Sequence, residues 1–242
     1  MATPKTLRPL LRLQPSITLS RASRRTFLPN PFPASFSPLG SSQPQTLSAS
    51  RTLPYPSHPI YAIISDVSSY SSFLPYCPSS DVTKWSAPDA TYNRRWPSEG
   101  RLSIGFGSLT ETFTSRVYCV PGRIVESVGG KTETDLDRRD IAHHLVGEQP
   151  SAERKEGENG LLTHLKSRWT VEEVGRESTR VTLALEFAFA NPLYTTLSAG
   201  AAPKVAEVMV KAFEERVRGL LEGRPDMQRA SLGDFEGSVL KR

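Results

Sequence analysis

The stretch RVTLALEFAFAN, residues 180–191, alternates without a break: Val181, Leu183, Leu185, Phe187 and Phe189 take one side, and Thr182, Ala184, Glu186 and Ala188 the other. A strict period of two is the signature of a strand with one buried and one exposed face. The segment before it, LLTHLKSRWTV, alternates in the same way, with Leu161, Thr163, Leu165, Ser167 and Trp169 on one side and EEVGREST as the turn. Two long strands joined by a turn form an antiparallel hairpin. Its apolar face must be covered by another element. The cover is supplied after Pro192: Val205, Met209, Ala212, Phe213, Arg216, Val217 and Leu220 recur at three and four, predicting an amphipathic helix from about Ala202 to Leu221. Gly223 and Pro225 end it.

Upstream, SDVTKW, RLSIGFG, ETFTSRVYCV and RIVESV read as further short strands, with Leu102, Ile104 and Phe106 alternating on one and Phe113, Ser115 and Val117 on the next. Before them, PIYAIISDVSSY places Ile60, Ile63, Ile64 and Val67 on one helical stripe, with Ser57 as candidate N-cap. RTLPYPSHPI holds an edge strand, since Pro54 and Pro56 exclude a central one. The fold class is therefore α+β: a helix, a run of antiparallel strands and a long C-terminal helix packed on the sheet. Residues 129–160 break the pattern and read as a polar insertion loop, and residues 223–242 as a tail.

Charge separates the first 50 residues from the rest. They carry Lys5, Arg8, Arg12, Arg21, Arg24 and Arg25, are rich in Ser and Pro, and contain no acid. That composition predicts a mitochondrial or plastid transit peptide and linker, with Arg25-Thr26-Phe27 resembling a matrix-type cleavage pattern. Removing those six from the 30 basic residues leaves 24 against 25 acidic over residues 51–242, so net charge gives no reason to expect a nucleic-acid partner for the domain, taken as residues 51–222.

Catalytic signatures are missing. There is no GxSxG, P-loop or HExxH, and GFGS at 105–108 is a hairpin turn. Cys77 and Cys119 form no zinc spacing and suit a reducing compartment as free thiols. His143-His144 sits in the polar insertion without supporting carboxylates, His164 faces outward, and Asp66, Glu111 and Glu186 are scattered. The longest uncharged run, Phe187–Pro203, is interrupted by Asn191 and Pro192 and does not read as a membrane span. No metal and no cofactor is expected. What the inward faces offer is apolar and aromatic: Phe106, Phe113, Trp169, Phe187 and Phe189, facing Met209 and Phe213. Spacing does not separate plain core from an apolar ligand site.

The stretch YAIISDVSSYSSFLPYCPSSDV, through Val67, Tyr70, Phe73, Pro75, Tyr76, Cys77 and Ser80, resembles the start of the coenzyme Q-binding family within the START and polyketide-cyclase-like superfamily. LSIGFGSLTETFTSRV, HLKSRWTV and LEFAFANPLY followed by VMVKAFEERV are similar to its later blocks, in order, over about residues 50–222; the polar insertion departs from it. The resemblance implies a helix-grip fold, an antiparallel sheet around the C-terminal helix with an apolar tunnel between them. It implies a non-enzymatic role: binding ubiquinone or its polyprenylated precursors at the matrix side of the mitochondrial inner membrane, as a lipid chaperone supporting respiratory electron transport and ubiquinone biosynthesis. The partners implied are the lipid, a peripheral contact with that membrane, and ubiquinone-biosynthesis enzymes. Carriage of a sterol or fatty acid, a cyclase or aromatase activity, and a ribosome-interaction role remain as alternatives.

The ligand-binding positions expected on this reading are Val67, Tyr70, Phe73 and Leu74 at the first corner and Ile104, Phe106, Phe113, Val117, Leu165, Trp169, Leu185 and Phe187 on the sheet. Met209 and Phe213 complete them on the helix. FLPYC, residues 73–77, is either a lip at the tunnel mouth that touches the membrane interface or a corner packed on the last helix. Ser115, Ser167 and Tyr118 are candidate donors to a polar headgroup, with no basis for choosing among them.

Overall fold

A computed structural model describes residues 44–106, 109–147, 162–190 and 202–235. Seven strands form one antiparallel sheet: β1 (Gln45–Leu53), β2 (Ser79–Trp85), β3 (Pro97–Phe106), β4 (Leu109–Val120), β5 (Ile124–Gly130), β6 (Leu162–Gly175) and β7 (Ser178–Phe189). Their spatial order is β1-β7-β6-β5-β4-β3-β2. Helix α1 (Ser57–Ser65) and a 3-10 turn (Val67–Ser72) link the two edge strands. A short helix α2 (Ala142–Leu145) follows β5, and the long helix α3 (Ala202–Leu221) follows β7. This is the α+β arrangement the period changes predict, with α3 on the face that the alternating strands leave apolar.

The register defines two faces. Residue pairs such as Val125↔Trp169, Trp169↔Leu183 and Leu183↔Ala49 line the inner face, which packs on α1 and α3. Helix α3 buries Ala206, Val210, Phe213, Val217, Leu220 and Leu221. The outer face carries Tyr118, Val120 and Val128.

Three expectations are corrected. The first strand begins at Gln45, inside the segment assigned to the linker, and pairs with β7 from Gln45↔Phe187 to Leu53↔Thr179. Its weakly apolar sequence, QTLSASRTL, hides the alternation of Leu47, Ala49 and Leu53 toward the inner face. Second, the chain after Gly223 is packed, not a tail, at least to Phe235. Helix α4 (Pro225–Arg229) and a 3-10 turn (Leu232–Asp234) put Met227, Leu232 and Phe235 into the main core. Ser231 and Asp234 form a capping box that fixes this turn. Third, residues 131–147 of the insertion lie on the outer face. Ile141 is buried with Tyr118, Val120 and Val128, and Leu136 and Leu145 pack beside it. Asp135 binds Arg168 and Lys166, Arg123 binds Asp140, and the Arg116 guanidinium donates to the Thr132 carbonyl.

A smaller correction concerns α1. Pro56 occupies the N-cap and Ser57 is already helical. The helix ends at Ser65 because Asp66, at φ −80° and ψ 67°, leaves helical geometry and accepts from Ser68.

The expected leader, the cut after Phe27, the NPLY link and residues 148–161 lie outside the described residues.

Candidate apolar ligand site

Burial along the inner face changes steadily from one end of the sheet to the other. On β6, Trp169 and Val171 are buried, Ser167 and Leu165 are half-buried, and Thr163 is exposed. On β7, Val181, Leu183 and Leu185 are buried, while Phe187 and Phe189 are half-buried. On β4, Ser115 and Val117 are buried and Phe113 is half-buried; on β3, Leu102 is half-buried and Ile104 is 42% exposed. The dry end lies under α1 and the C-terminal half of α3. The other end presents incompletely covered apolar residues, Phe113, Leu165, Phe187 and Ile104, with half-buried Glu111 paired to Ile104 among them. Apolar surface left half-covered on the concave side of a sheet is what an apolar ligand needs.

The expected site residues therefore divide. Val67, Tyr70, Leu74, Val117, Trp169, Leu185 and Phe213 are core at the dry end or its boundary. Ile104, Phe113, Leu165 and Phe187 belong to the open part, while half-buried Phe73 and Met209 pack against the core. The Phe106 side chain is outside the described residues.

Aromatic rings mark the boundary between the two regions. Phe213 lies 4.2 Å from Trp169, 4.8 Å from Phe73 and 5.4 Å from Tyr70, centroid to centroid. The Arg216 guanidinium lies 5.5 Å from the Phe73 ring centroid. The FLPYC stretch is thus a corner packed on α3. Leu74 is buried, Phe73 is wedged against Phe213, and the Tyr70 hydroxyl donates to the Ile64 carbonyl. Tyr76 alone of that stretch is largely exposed, held at φ 64° after Pro75. Its carbonyl accepts from the Gly105 N–H, which brings Tyr76 beside Ile104 at the open rim.

Burial keeps the ionisable groups near the dry end protonated. It raises the Tyr61 and Tyr70 hydroxyls well above their usual value, raises the Cys77 thiol, and pushes the Cys119 thiol up to about 12. Inner-face hydroxyls include those of Ser115, Ser127 and Ser167. Tyr118 points to the outer face, under Ile141, and is removed as an inner-face donor. Ser127 was not singled out by sequence: its alternation in RIVESV is visible, but its side is fixed only by the pairing Ser127↔Ser167.

The histidines have structural partners. The Cys119 N–H donates to Nε2 of His144 at 2.8 Å, so the proton sits on Nδ1 and is donated to the Ser98 hydroxyl at 2.7 Å. His164 pairs with Thr132 and lies 3.6 Å from Glu186, and so is not simply solvated. Glu126, overlooked in the sequence, is fully buried on the outer face and paired with Arg168. Among the described residues no three His, Cys, Asp or Glu side chains gather as a metal site. No helix among them is long and apolar enough to cross a membrane.

The model of the family described as polyketide cyclase / dehydrase and lipid transport matches residues 53–214. The chain belongs to that family. A mitochondrial coenzyme Q-binding protein of Eremothecium gossypii is 30% identical over 224 residues, covering 91% of this chain and 91% of that protein. A ribosome association toxin of Pseudomonas aeruginosa is 28% identical over 171 residues, covering 71% of this chain and 94% of the toxin. A solved protein structure from Thermus thermophilus superimposes with a TM-score of 0.50 at 16% identity, covering 74% of this chain and all of that one. Family and fold agree with the resemblance drawn from the corner, hairpin and helix motifs.

Proposed function

We propose that this protein is a non-enzymatic lipid-binding protein of the mitochondrion that takes up coenzyme Q, or a polyprenylated precursor of it, along the inner face of its sheet. The observation that carries this reading is the half-covered apolar group of Phe113, Leu165, Phe187 and Ile104 at the open end of the inner face. An isoprene unit has five carbons, and at about 0.8 kcal/mol per CH₂ each unit costs roughly 4 kcal/mol to hold in water. A protein surface that covers such a tail offsets that cost without any covalent step. The coenzyme Q-binding relative, similar over 91% of both chains, supports this choice of lipid over a sterol or fatty acid.

A cyclase would need an acid or base that changes protonation near neutral pH. The buried Tyr61, Tyr70, Cys77 and Cys119 hold their protons too firmly for that. The acid-free, basic first 50 residues support import into mitochondria. Tyr76 and Ile104, exposed together at the open rim, suit a peripheral contact with the matrix side of the inner membrane, where the lipid would enter. In that position the protein would serve respiratory electron transport and the enzymes of ubiquinone biosynthesis. A ribosome-binding role, suggested by the toxin, lacks the basic surplus expected of an RNA partner.

The test is a titration with a ubiquinone analogue bearing two isoprene units, read by quenching of tryptophan fluorescence with Trp85 and Trp96 replaced by phenylalanine so that Trp169 alone reports. A saturable one-to-one quench is expected, weakened about tenfold or more in Leu165→Glu, which sets a charge in the apolar group. No saturable quench, or equal affinity in that variant, would contradict the proposal.

A further inference from the structure

The inner face carries Arg51 and Gln45 on its edge strand and Glu111, paired with Ile104, toward the open end. Between the dry and the open end lies a patch of three serines. Ser127 of β5 and Ser167 of β6 are directly paired across the strands. Ser115 lies on the next strand, β4, two residues before Val117, the partner of Ser127. Directly paired side chains stand about 5 Å apart and diagonal ones about 7 Å, so the three hydroxyls fall within the span of one six-membered ring and its substituents. Two glycines keep side chains out of this patch. A Cβ at Gly129 would lie 3.1 Å from the Ser115 hydroxyl, and one at Gly100 would meet Leu102, Val67 and Val117.

Among the described residues these hydroxyls have no protein hydrogen-bond partner. For Ser127 and Ser167, half-buried, this is ordinary. Ser115 is only 3% exposed as a residue, yet its hydroxyl is not one of the fully buried, unpartnered side-chain atoms, so what surface it keeps is open to a ligand. Its hydroxyl faces the inner side beside Gly129. The patch sits between two regions of different character. Trp169, two residues beyond Ser167 and stacked on Phe213, closes the dry end, while Leu165, two residues before Ser167, begins the half-covered apolar group.

We propose that Ser115, Ser127 and Ser167 are the headgroup end of the site, donating hydrogen bonds to carbonyl oxygens of a quinone ring seated beside the Trp169–Phe213 pair, with the tail leaving over Leu165 and Phe187 at the half-covered end of the sheet. The inference rests on the lipid-binding reading and adds orientation and specificity to it: ring inward, tail toward the rim. Hydroxyl donors favour a ring that carries acceptors over an equally apolar ring without them, because each unmet donor is a penalty.

The test compares two ligands on the full chain: a ubiquinone analogue with two isoprene units, and the same tail on a benzene ring that has no ring oxygens. The triple variant Ser115→Ala, Ser127→Ala, Ser167→Ala is expected to bind the quinone about tenfold or more weakly, at about two- to tenfold per hydroxyl. Its affinity for the benzene analogue should stay within about twofold. The carbonyl stretching band of the bound quinone, shifted to lower frequency in the wild type, should return to its position in an apolar solvent. Ser127→Thr with Ser167→Thr, which keeps the donors, should retain both affinity and band shift. If the triple variant is poorly folded, Ser127→Ala alone, at a half-buried position, carries the same comparison. Unchanged quinone affinity and carbonyl band, or equal weakening for both ligands, would overturn the headgroup assignment while leaving the lipid reading intact. Failure of the wild type to bind either ligand would overturn both.

Discussion

His144 shows how a single side chain ties the outer layer to the sheet. Its Nε2 accepts from the Cys119 backbone and its Nδ1 donates to Ser98, and the first of these bonds requires the neutral ring. Burial, followed by the neighbouring His143, lowers its pKa to about 3. The groups facing it are the His143 ring at 4.2 Å, the edge of Tyr118 at 5.7 Å, Ser98 and the Cys119 amide, and none is anionic. The unfolded chain binds this proton near pH 6.5 and the folded chain does not until about pH 3. The contribution to stability is therefore complete above pH 6.5 and is lost progressively as the pH falls toward 3. Thermal unfolding between pH 7 and pH 4 should show a falling midpoint, and His144→Gln, which keeps an acceptor near Nε2 but does not titrate, should flatten that slope. His143, whose pKa burial also lowers, and toward the acid end Asp89 and Asp135, whose pKa values are, against burial, lowered by hydrogen bonds, contribute to whatever slope persists. An unchanged slope in His144→Gln would show that the ring is not the titrating group.

At the scale of elements, α3 and the segments wedged against it decide where the sheet is dry. Phe213 is the hub, reached by Trp169 from the sheet and by Tyr70 and Phe73 from the first corner. The salt bridge from Arg51 to Glu207 ties the same helix to β1. The segment after α3 belongs to this assembly although the family match stops at 214. Leu232, fully buried, should cost about 2–5 kcal/mol when replaced by alanine, measured by denaturant unfolding. A cost under about 0.5 kcal/mol, as for an ordinary surface substitution, would mean the segment is not part of the fold. Elements differed in legibility for physical reasons. β6, β7 and α3 were readable because each buries one face over ten or more residues, and the period accumulates. The C-terminal segment was not, because Met227, Leu232 and Phe235 follow no helical or strand period; its order comes from a local capping box and from the core it enters. β1 was foreshortened because serine and threonine occupy its outward positions and polar Gln45 and Arg51 interrupt the inward row of Leu47, Ala49 and Leu53.

At the scale of the whole domain, the sheet is a graded surface: closed under α1 and α3 at one end, half-covered at the other, with the serine patch between. The candidate site was legible in part. Alternation put Phe113, Leu165 and Phe187 on the inward side, but alternation is identical for core and ligand surface. Which of them stay half-covered depends on how far α3 reaches, and no single strand encodes that. The same limit applied to the polar contacts: Tyr118 and Ser115 lie three residues apart on one strand and face opposite ways, which only the pairing partners settle. The central claim is that this surface holds a polyprenyl quinone. It is tested most directly by mass spectrometry of the organic extract of the chain purified from a ubiquinone-producing host. The account predicts a stoichiometric polyprenyl quinone that is lost in Leu165→Glu; a wild-type protein that is empty, or that carries only fatty acids or sterols, would contradict it.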